Sequence, residues 1–481
     1  MSDLGLSTLA SALQADTALL DTASNNLANI NTPGYAAEKV NLSPEAAAGF
    51  LQVGQGVSIA SVQALVDAVY ASTSVVAQGA QGSTTQASQI LKSIEGIFPE
   101  PSTSGLGGQL AQFWSDVGNL ATNPGQAGAQ QTVAVDAQRL AGSLNSGSTQ
   151  LTQLATSLQT QVGTGGTDGG QLSEVNALLA QVATLNRGIV AGDAAGQNVN
   201  ALGDQRRSAV NTLATLIGST ATTQADGSLT VRIGGIQLVS GVNAETLATT
   251  GSAGGADLAI VTGSGTTIGV GGSIGANIAA IDTTIAGYQS QLSAVADSLA
   301  GNVNALQANG LDAKGDPGKA IAGSWAGTVL PDIFVTAGST AYTPGGNSAA
   351  TISVSAAYAA DPSLIATAAA PGAGNANAIG TATLDGSNAQ TMAALASSTS
   401  GPDAAYRGLI GTLGSDAANA ISAATTATNM ATTAAANVAS VSGVNQNQEE
   451  INVLSAQNAF QAASKAVSAI TASFQSLLQA V

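Results

Sequence analysis

The sequence predicts a mainly α fold with a β insert, divided among several domains. These are a coiled coil made from the two chain ends, an elongated helical bundle carrying a β-hairpin region, and a small β domain. Three observations lead there. Apolar residues recur at alternating spacings of three and four at both ends of the chain. Long helix-period stretches fill the middle, separated by turns built on Pro and Gly. Two stretches, 218–272 and 311–383, lose the helical period and contain short strand-like runs.

In chain order, Leu6, Leu9, Leu13, Asp16, Leu20, Ala23, Leu27 and Ile30 mark one face of a helix over 4–30, about 40 Å long at about 1.5 Å per residue. Pro33 and Gly34 stop it, because a proline biases the residue before it out of helical geometry. Residues 36–62 read as extended. Helices are expected at 64–96, 105–121, 126–161, 171–191 and 199–217, with short connections that favour a bundle. Strands are expected over 226–233 and 236–239, then a helix over 274–308. The Gly-, Pro- and Thr-rich stretch 311–383 has strand-like pieces at 333–336 and 351–354. Helix resumes from Ala389, and over 404–440 Ala417, Ile421, Ala424, Thr428, Ala431, Ala435 and Val438 take heptad spacing. After a break at Ser442 and Gly443, a last seam runs through Val453, Ala456, Phe460, Ala463, Val467, Ile470, Phe474, Leu477 and Val481. Each terminal seam needs a partner helix, and the other end is the simplest one. Phe460, Phe474 and Leu477 leave bulky apolar surface for further neighbours.

Composition narrows the function. The chain has 481 residues, long enough for about three domains. With 11 Lys and Arg against 28 Asp and Glu, the formal charge is −17. This argues against nucleic acid and anionic membranes as partners. The absence of His and Cys excludes Ser-His-Asp and Cys-His nucleophile systems and zinc sites built on those ligands. No cofactor is expected and an enzyme is the weakest reading. No run approaches 18 apolar residues and no cleaved signal peptide is visible.

The most specific motif runs from Ser24 through Asn25, Asn26, Asn29, Asn31, Pro33 and Gly34 to Tyr35. Helix termination accounts for the residue types but not for this string. It resembles the amino-terminal signature of bacterial flagellar rod, hook and hook-associated axial proteins. The turn Ser442, Gly443, Val444 and Asn445, the acidic pair Glu449 and Glu450, and the helix from Gln457 to Lys465 resemble the end of the FlgK family of hook-associated proteins. Phe113 to Pro124, Asp204 to Arg207, and Asp226 to Gly235 are similar to the same family, whereas 311–383 matches least.

The resemblance implies a terminal domain D0 (1–62 with 441–481), a bundle D1 (63–310 with 384–440, including 218–272) and an inserted β domain D2 (311–383). It implies a ring between hook and filament. The partners would be hook protein, the third hook-associated protein on the flagellin side, and an export chaperone. It further implies type III export without a cleaved signal, to an extracellular site. A hook or third hook-associated protein, and an adhesin function on 311–383, stand as alternatives.

Three lesser motifs have bland readings. Asp204 to Arg207 fits a helix surface with local charge pairing better than an anion site. Gly263 to Gly269 lacks the lysine of a phosphate loop, and Asp312 to Asp316 lacks the ligands of an EF-hand. Asp16 could set register in its apolar row or simply be solvated there.

Overall fold

The computed structural model describes residues 2–32, 34–45, 56–163, 169–251, 258–318, 329–369 and 384–479. Helix α1 (Ser2–Ala28) leads into the antiparallel strands β1 (Glu38–Pro44) and β2 (Val57–Ala64). The stretch expected to be extended is thus a two-stranded ribbon, and it lies against α1.

The bundle follows: α2 (Ala68–Ile97), α3 (Leu106–Thr122), α4 (Ala127–Val162), α5 (Gln171–Ala194) and α6 (Asn200–Ile217). Each begins and ends within a few residues of its predicted bounds. Asp67 caps α2 by accepting N–H bonds from Val69 (2.8 Å) and Tyr70 (3.0 Å). Gly218 ends α6 in the left-handed region at φ 69°, where a side chain would be strained. Leu110, Phe113, Val117 and Leu120 on α3 meet Leu140, Leu144 and Leu151 on α4 in one core, all essentially inaccessible to solvent. Each such side chain contributes about 1.5–3 kcal/mol of burial.

Residues 218–272 hold more strand than expected. A four-stranded sheet has the order β3 (Thr220–Thr223), β4 (Leu229–Ile233), β5 (Ile236–Ser240) and β6 (Asn243–Ala244). A three-stranded sheet has β7 (Leu247–Thr250), β8 (Ala259–Thr262) and β9 (Thr267–Ile268). The helix predicted over 274–308 is two helices, α7 (Gly272–Ala279) and α8 (Ala286–Ala308), joined by a π-helical segment at Ala280–Ile285. Across that segment Ile281, Ile285, Tyr288 and Leu292 stay buried at spacings of three and four, so periodicity does not reveal it.

Beyond α8, β10 (Gly310–Leu311) pairs with β13 (Ala368–Ala369), and β11 (Phe334–Thr336) with β12 (Ile352–Val354). Between them lie two short helices, α9 (Ser348–Thr351) and α10 (Ala356–Ala360). The strand pieces expected here are present, and they sit on the bundle. Phe334, Ile352, Tyr358 and Ile365 belong to the same contiguous core as α3, α4 and α8, and Phe334 meets Phe113 edge-on at 6.4 Å between ring centres.

After α11 (Ser387–Ala393), α12 (Pro402–Ser442) runs back along α2 and α8, and α13 (Gln446–Gln479) pairs with α1. The buried face of α12 corrects the predicted seam. Ala417, Ala427, Ala431 and Ala434 are buried, while Ile421 is 56% exposed and Thr428 and Ala435 also face outward. Small residues win because α2 lies close: Ala77 forms a cluster with Ala431 and Ala434.

One device recurs where helices meet strands β4, β7 and β11. A helix asparagine offers its side-chain amide to both backbone groups of a single extended residue. Asn176 brackets Leu247 (2.8 and 2.9 Å), Asn186 brackets Leu229 (3.0 and 2.8 Å), and Asn304 brackets Phe334 (3.0 and 2.7 Å). An amide carries both a donor and an acceptor, so it completes a strand edge as another peptide unit would.

Candidate assembly joint

The same device operates at the junction of terminal helices and bundle. Asn26 is 1% exposed. Its Oδ1 accepts the N–H of Glu38 (2.8 Å), and its Nδ2 donates to the carbonyl of Glu38 (2.9 Å). Nδ2 also reaches Glu449 Oε1 on α13 (3.2 Å), and Tyr35 OH donates to Oδ1 (2.8 Å). One side chain therefore ties α1, β1, α13 and the motif turn together.

Four further bonds fasten this knot to the bundle. The N–H of Ala37 donates to the Ser442 carbonyl (2.8 Å), and the N–H of Leu65 to the Ala37 carbonyl (2.8 Å). Ala36 N–H donates to Asp204 Oδ2 on α6 (3.4 Å), and Asn200 Nδ2 donates to the Val62 carbonyl (3.0 Å). Asn445 starts α13 by accepting the Gln448 N–H (3.2 Å), a side-chain N-cap.

The electrostatics match. Burial, reinforced by Glu38, Asp204 and Glu449, pushes the Tyr35 phenol up to about 12, so Tyr35 remains a neutral donor. Burial also raises the Asp204 carboxyl, against the pull of the paired Arg207. The expected local pairing in Asp204 to Arg207 is thus present for Arg207. Arg206 instead turns inward, donating to Asn186 Oδ1 (2.9 Å) and the Gly227 carbonyl (2.8 Å). A cleft of about 500 Å³ separates Asn29, Thr32 and Tyr35 from Gln181, Asp204 and Ser208.

The other motif residues play smaller parts. Asn29 donates to Asn25 Oδ1 (2.7 Å) and accepts from Thr32 (3.1 Å), organising the helix end. Asn25 and Asn31 are exposed, Gly34 turns at φ 81°, and Pro33 lies outside the described residues. Ser442 is buried, Val444 half-buried and Gly443 exposed. Sequence reasoning places Asp204 and Glu449 only within local motifs and misses Glu38, and it assigns none of them to this joint. Their partners are 12, 168 and 423 positions away, beyond any local pattern.

The seams are incompletely covered. On α1 the buried positions are Ala15, Ala23 and Asn26, while Leu9, Leu13, Leu20, Leu27 and Ile30 are half-buried and Leu6 is exposed. Burial also raises the carboxyl of Asp16, itself half-buried in that row. On α13 Ala456 is buried, Val467 and Ile470 are half-buried, and Phe460 and Phe474 are 41% and 39% exposed. The side chain of Leu477 lies outside the described residues. Ile451 and Leu454, just past the joint, are 58% and 59% exposed. No helix among the described residues is long and apolar enough to cross a membrane.

The chain is similar to known proteins in sequence and in fold. Residues 91–321 match the family model of the flagellar hook-associated protein FlgK helical domain. Residues 6–35, the span of α1 and its motif turn, match that of the flagella basal body rod protein. Flagellar hook-associated protein 1 of Bacillus subtilis is 29% identical over 250 residues, covering 48% of this chain and 48% of the relative. The protein of that name from Salmonella typhimurium is 29% identical over 246 residues, covering 50% of this chain and 43% of the relative. The matches thus span about half the length of these relatives. The solved structure of the flagellar hook junction protein FlgK from Burkholderia pseudomallei superposes with a TM-score of 0.59 at 18% identity, covering 78% of this chain and all of that one. At that identity the likeness speaks for the fold.

Proposed function

We propose, from the premise that this chain carries the FlgK-type helical domain behind a flagellar rod-type segment, that it is a structural component of the bacterial flagellum at the junction of hook and filament. The observation that carries the reading is the pairing of α1 with α13 through Asn26, with apolar seams left half-covered. Seams of this kind are completed by like seams on neighbouring subunits. The residues proposed for that contact are Leu6, Leu9, Leu13, Leu20, Leu27, Ile30, Phe460, Val467, Ile470, Phe474 and Leu477. In this reading D0 is 1–62 with 441–481, D1 is 63–310 with 384–440, and D2 is 311–383. The role is mechanical, without catalysis or cofactor, in a ring contacting hook protein on one side and the third hook-associated protein on the other. The chain reaches this extracellular place by flagellar type III export with a chaperone.

Deleting the gene and examining cells by electron microscopy tests the proposal. Bare hooks with flagellin shed into the medium are expected, and restoration by the wild-type chain. Normal filaments on the deletion strain refute it.

A further inference from the structure

Helices α3 and α4 pack against each other in opposite directions across a short connection. A polar row runs along one side of their contact. Ser143 Oγ on α4 donates to Gln109 Oε1 on α3 at 2.7 Å. Asp116 stands seven residues after Gln109, and Asp136 stands seven residues before Ser143. Seven residues are about two helical turns, so the two aspartates repeat the Gln109–Ser143 register further along the same faces. Their carboxyl groups are in hydrogen-bonding contact.

Two carboxylates are an awkward pair to bring together there. Asp136 is 4% exposed. Arg139 donates to its Oδ1, but its Oδ2 is shut off from solvent and has no donor. Buried polar atoms are otherwise almost always paired. Asp116 is half-buried and accepts from Gln112 Nε2 at 2.8 Å. The charged groups that act on Asp136 from the elements around it are Asp116 on α3 and Arg139 on its own helix. The Arg139 side chain is 53% exposed, so its charge is shared with water and answers one carboxylate at most. Burial and the Asp116 carboxyl push the Asp136 carboxyl up, against the pull of Arg139. No third His, Cys, Asp or Glu joins them among the described residues, so the pair suits a proton and not a metal ion.

We propose that Asp116 and Asp136 form a proton-binding latch between α3 and α4. One proton from solvent sits on one carboxyl, which donates it to the other. The resulting O–H···O⁻ bond supplies the donor that Asp136 Oδ2 lacks and removes one of two like charges from the helix contact. The latch tightens in acid. Its stabilisation is complete below the ordinary carboxyl value of 3.8 and is lost as pH rises through the raised value of the folded chain. Above that value both carboxylates ionise and repel across the contact. None of this depends on where in the cell or on its surface the chain works.

The test uses the full chain, isotope-labelled at the aspartate carboxyl carbons and titrated by NMR from about pH 8 to about pH 4. One midpoint above the ordinary aspartate range should be lost in both Asp116→Asn and Asp136→Asn, since it belongs to the pair. In Asp116→Asn the amide donates to Asp136 Oδ2 at every pH, so Asp136 should fall back into the ordinary range or below it. Urea unfolding should find Asp116→Asn more stable than the wild type at the alkaline end, with the gap closing as pH falls and the native proton arrives. The half-buried position of Asp116 lets its variant carry the test if Asp136→Asn does not fold. The same set of raised midpoints in Asp116→Asn as in the wild type overturns the assignment, because burial alone then holds Asp136 up. So does a stability difference between the two chains that is equal at both ends of the titration.

Discussion

Asn26 shows how much a single amide can hold. Its truncation in Asn26→Ala strands both backbone groups of Glu38, and a buried group left without its partner costs about 1–3 kcal/mol. The expected loss is about 3 kcal/mol in local stability of α1 and α13, read as faster amide exchange there with α3 and α4 unchanged. Asn25→Ala, one position away and exposed, should stay within about 0.5 kcal/mol. Tyr35 makes the joint sensitive to alkali. Its folded pKa of about 12 lies above the ordinary phenol value of 10.0. Its contribution is therefore fully present below pH 10 and fades as pH rises toward 12. Tyr35→Phe should abolish that dependence of α1 exchange rates, and an unchanged profile would remove Tyr35 from the account. The sequence identified the asparagine-rich turn but not which asparagine bears the weight. All four have the same chemistry, and only burial among distant segments separates them.

Helix bounds are legible because each bundle helix ends at punctuation, such as Asn123 and Gly218. Helix faces are less so. On α12 two adjacent rows offer alanine, and Ile421 draws the eye to the wrong one. Hydropathy favours the larger residue, whereas the closeness of α2 demands the smallest. Ala434→Leu should therefore destabilise by about 1–3 kcal/mol through overpacking. Ile421→Gln should be nearly silent, within about 0.5 kcal/mol, as judged by urea unfolding. Between α2 and α6 the tolerance is tighter still. A Cβ at Gly82 would stand 2.2 Å from the Thr215 carbonyl oxygen. Gly82→Ala should destabilise despite the better helix propensity of alanine, worth about 1 kcal/mol. A stabilised variant would show that α2 can move away freely.

The whole molecule carries a net charge of −17 but has only three ion pairs among its described residues. Four of its carboxylates accept from neutral aromatic donors instead. Trp114 Nε1 donates to Asp403 (2.6 Å), Tyr288 to Asp416 (2.7 Å), Tyr342 to Asp297 (2.7 Å) and Tyr406 to Glu100 (3.0 Å). Salt screens self-repulsion and leaves such bonds largely intact. Raising sodium chloride from about 0.01 to 0.5 M, which shortens the Debye length from about 30 Å to a few Å, should raise Tm. A fall would mean that ion pairs dominate. At this scale the low charge content was plain in the sequence. The use of amides and phenols in place of salt bridges was not, because it depends on contacts between segments far apart in the chain.

Asn26 and Glu449 are separated by 423 residues, and this imposes an order in time. Loop closure grows only logarithmically with length, about 0.6 kcal/mol per doubling, so the long separation weighs little at equilibrium. It weighs heavily on sequence of events: α1 must wait until residue 449 is available, while local contacts of the bundle form far sooner. A chain interrupted anywhere before that point keeps α1 without its partner, however well the middle has folded. The knot at Asn26 thus closes only after α13 has come into place beside α1.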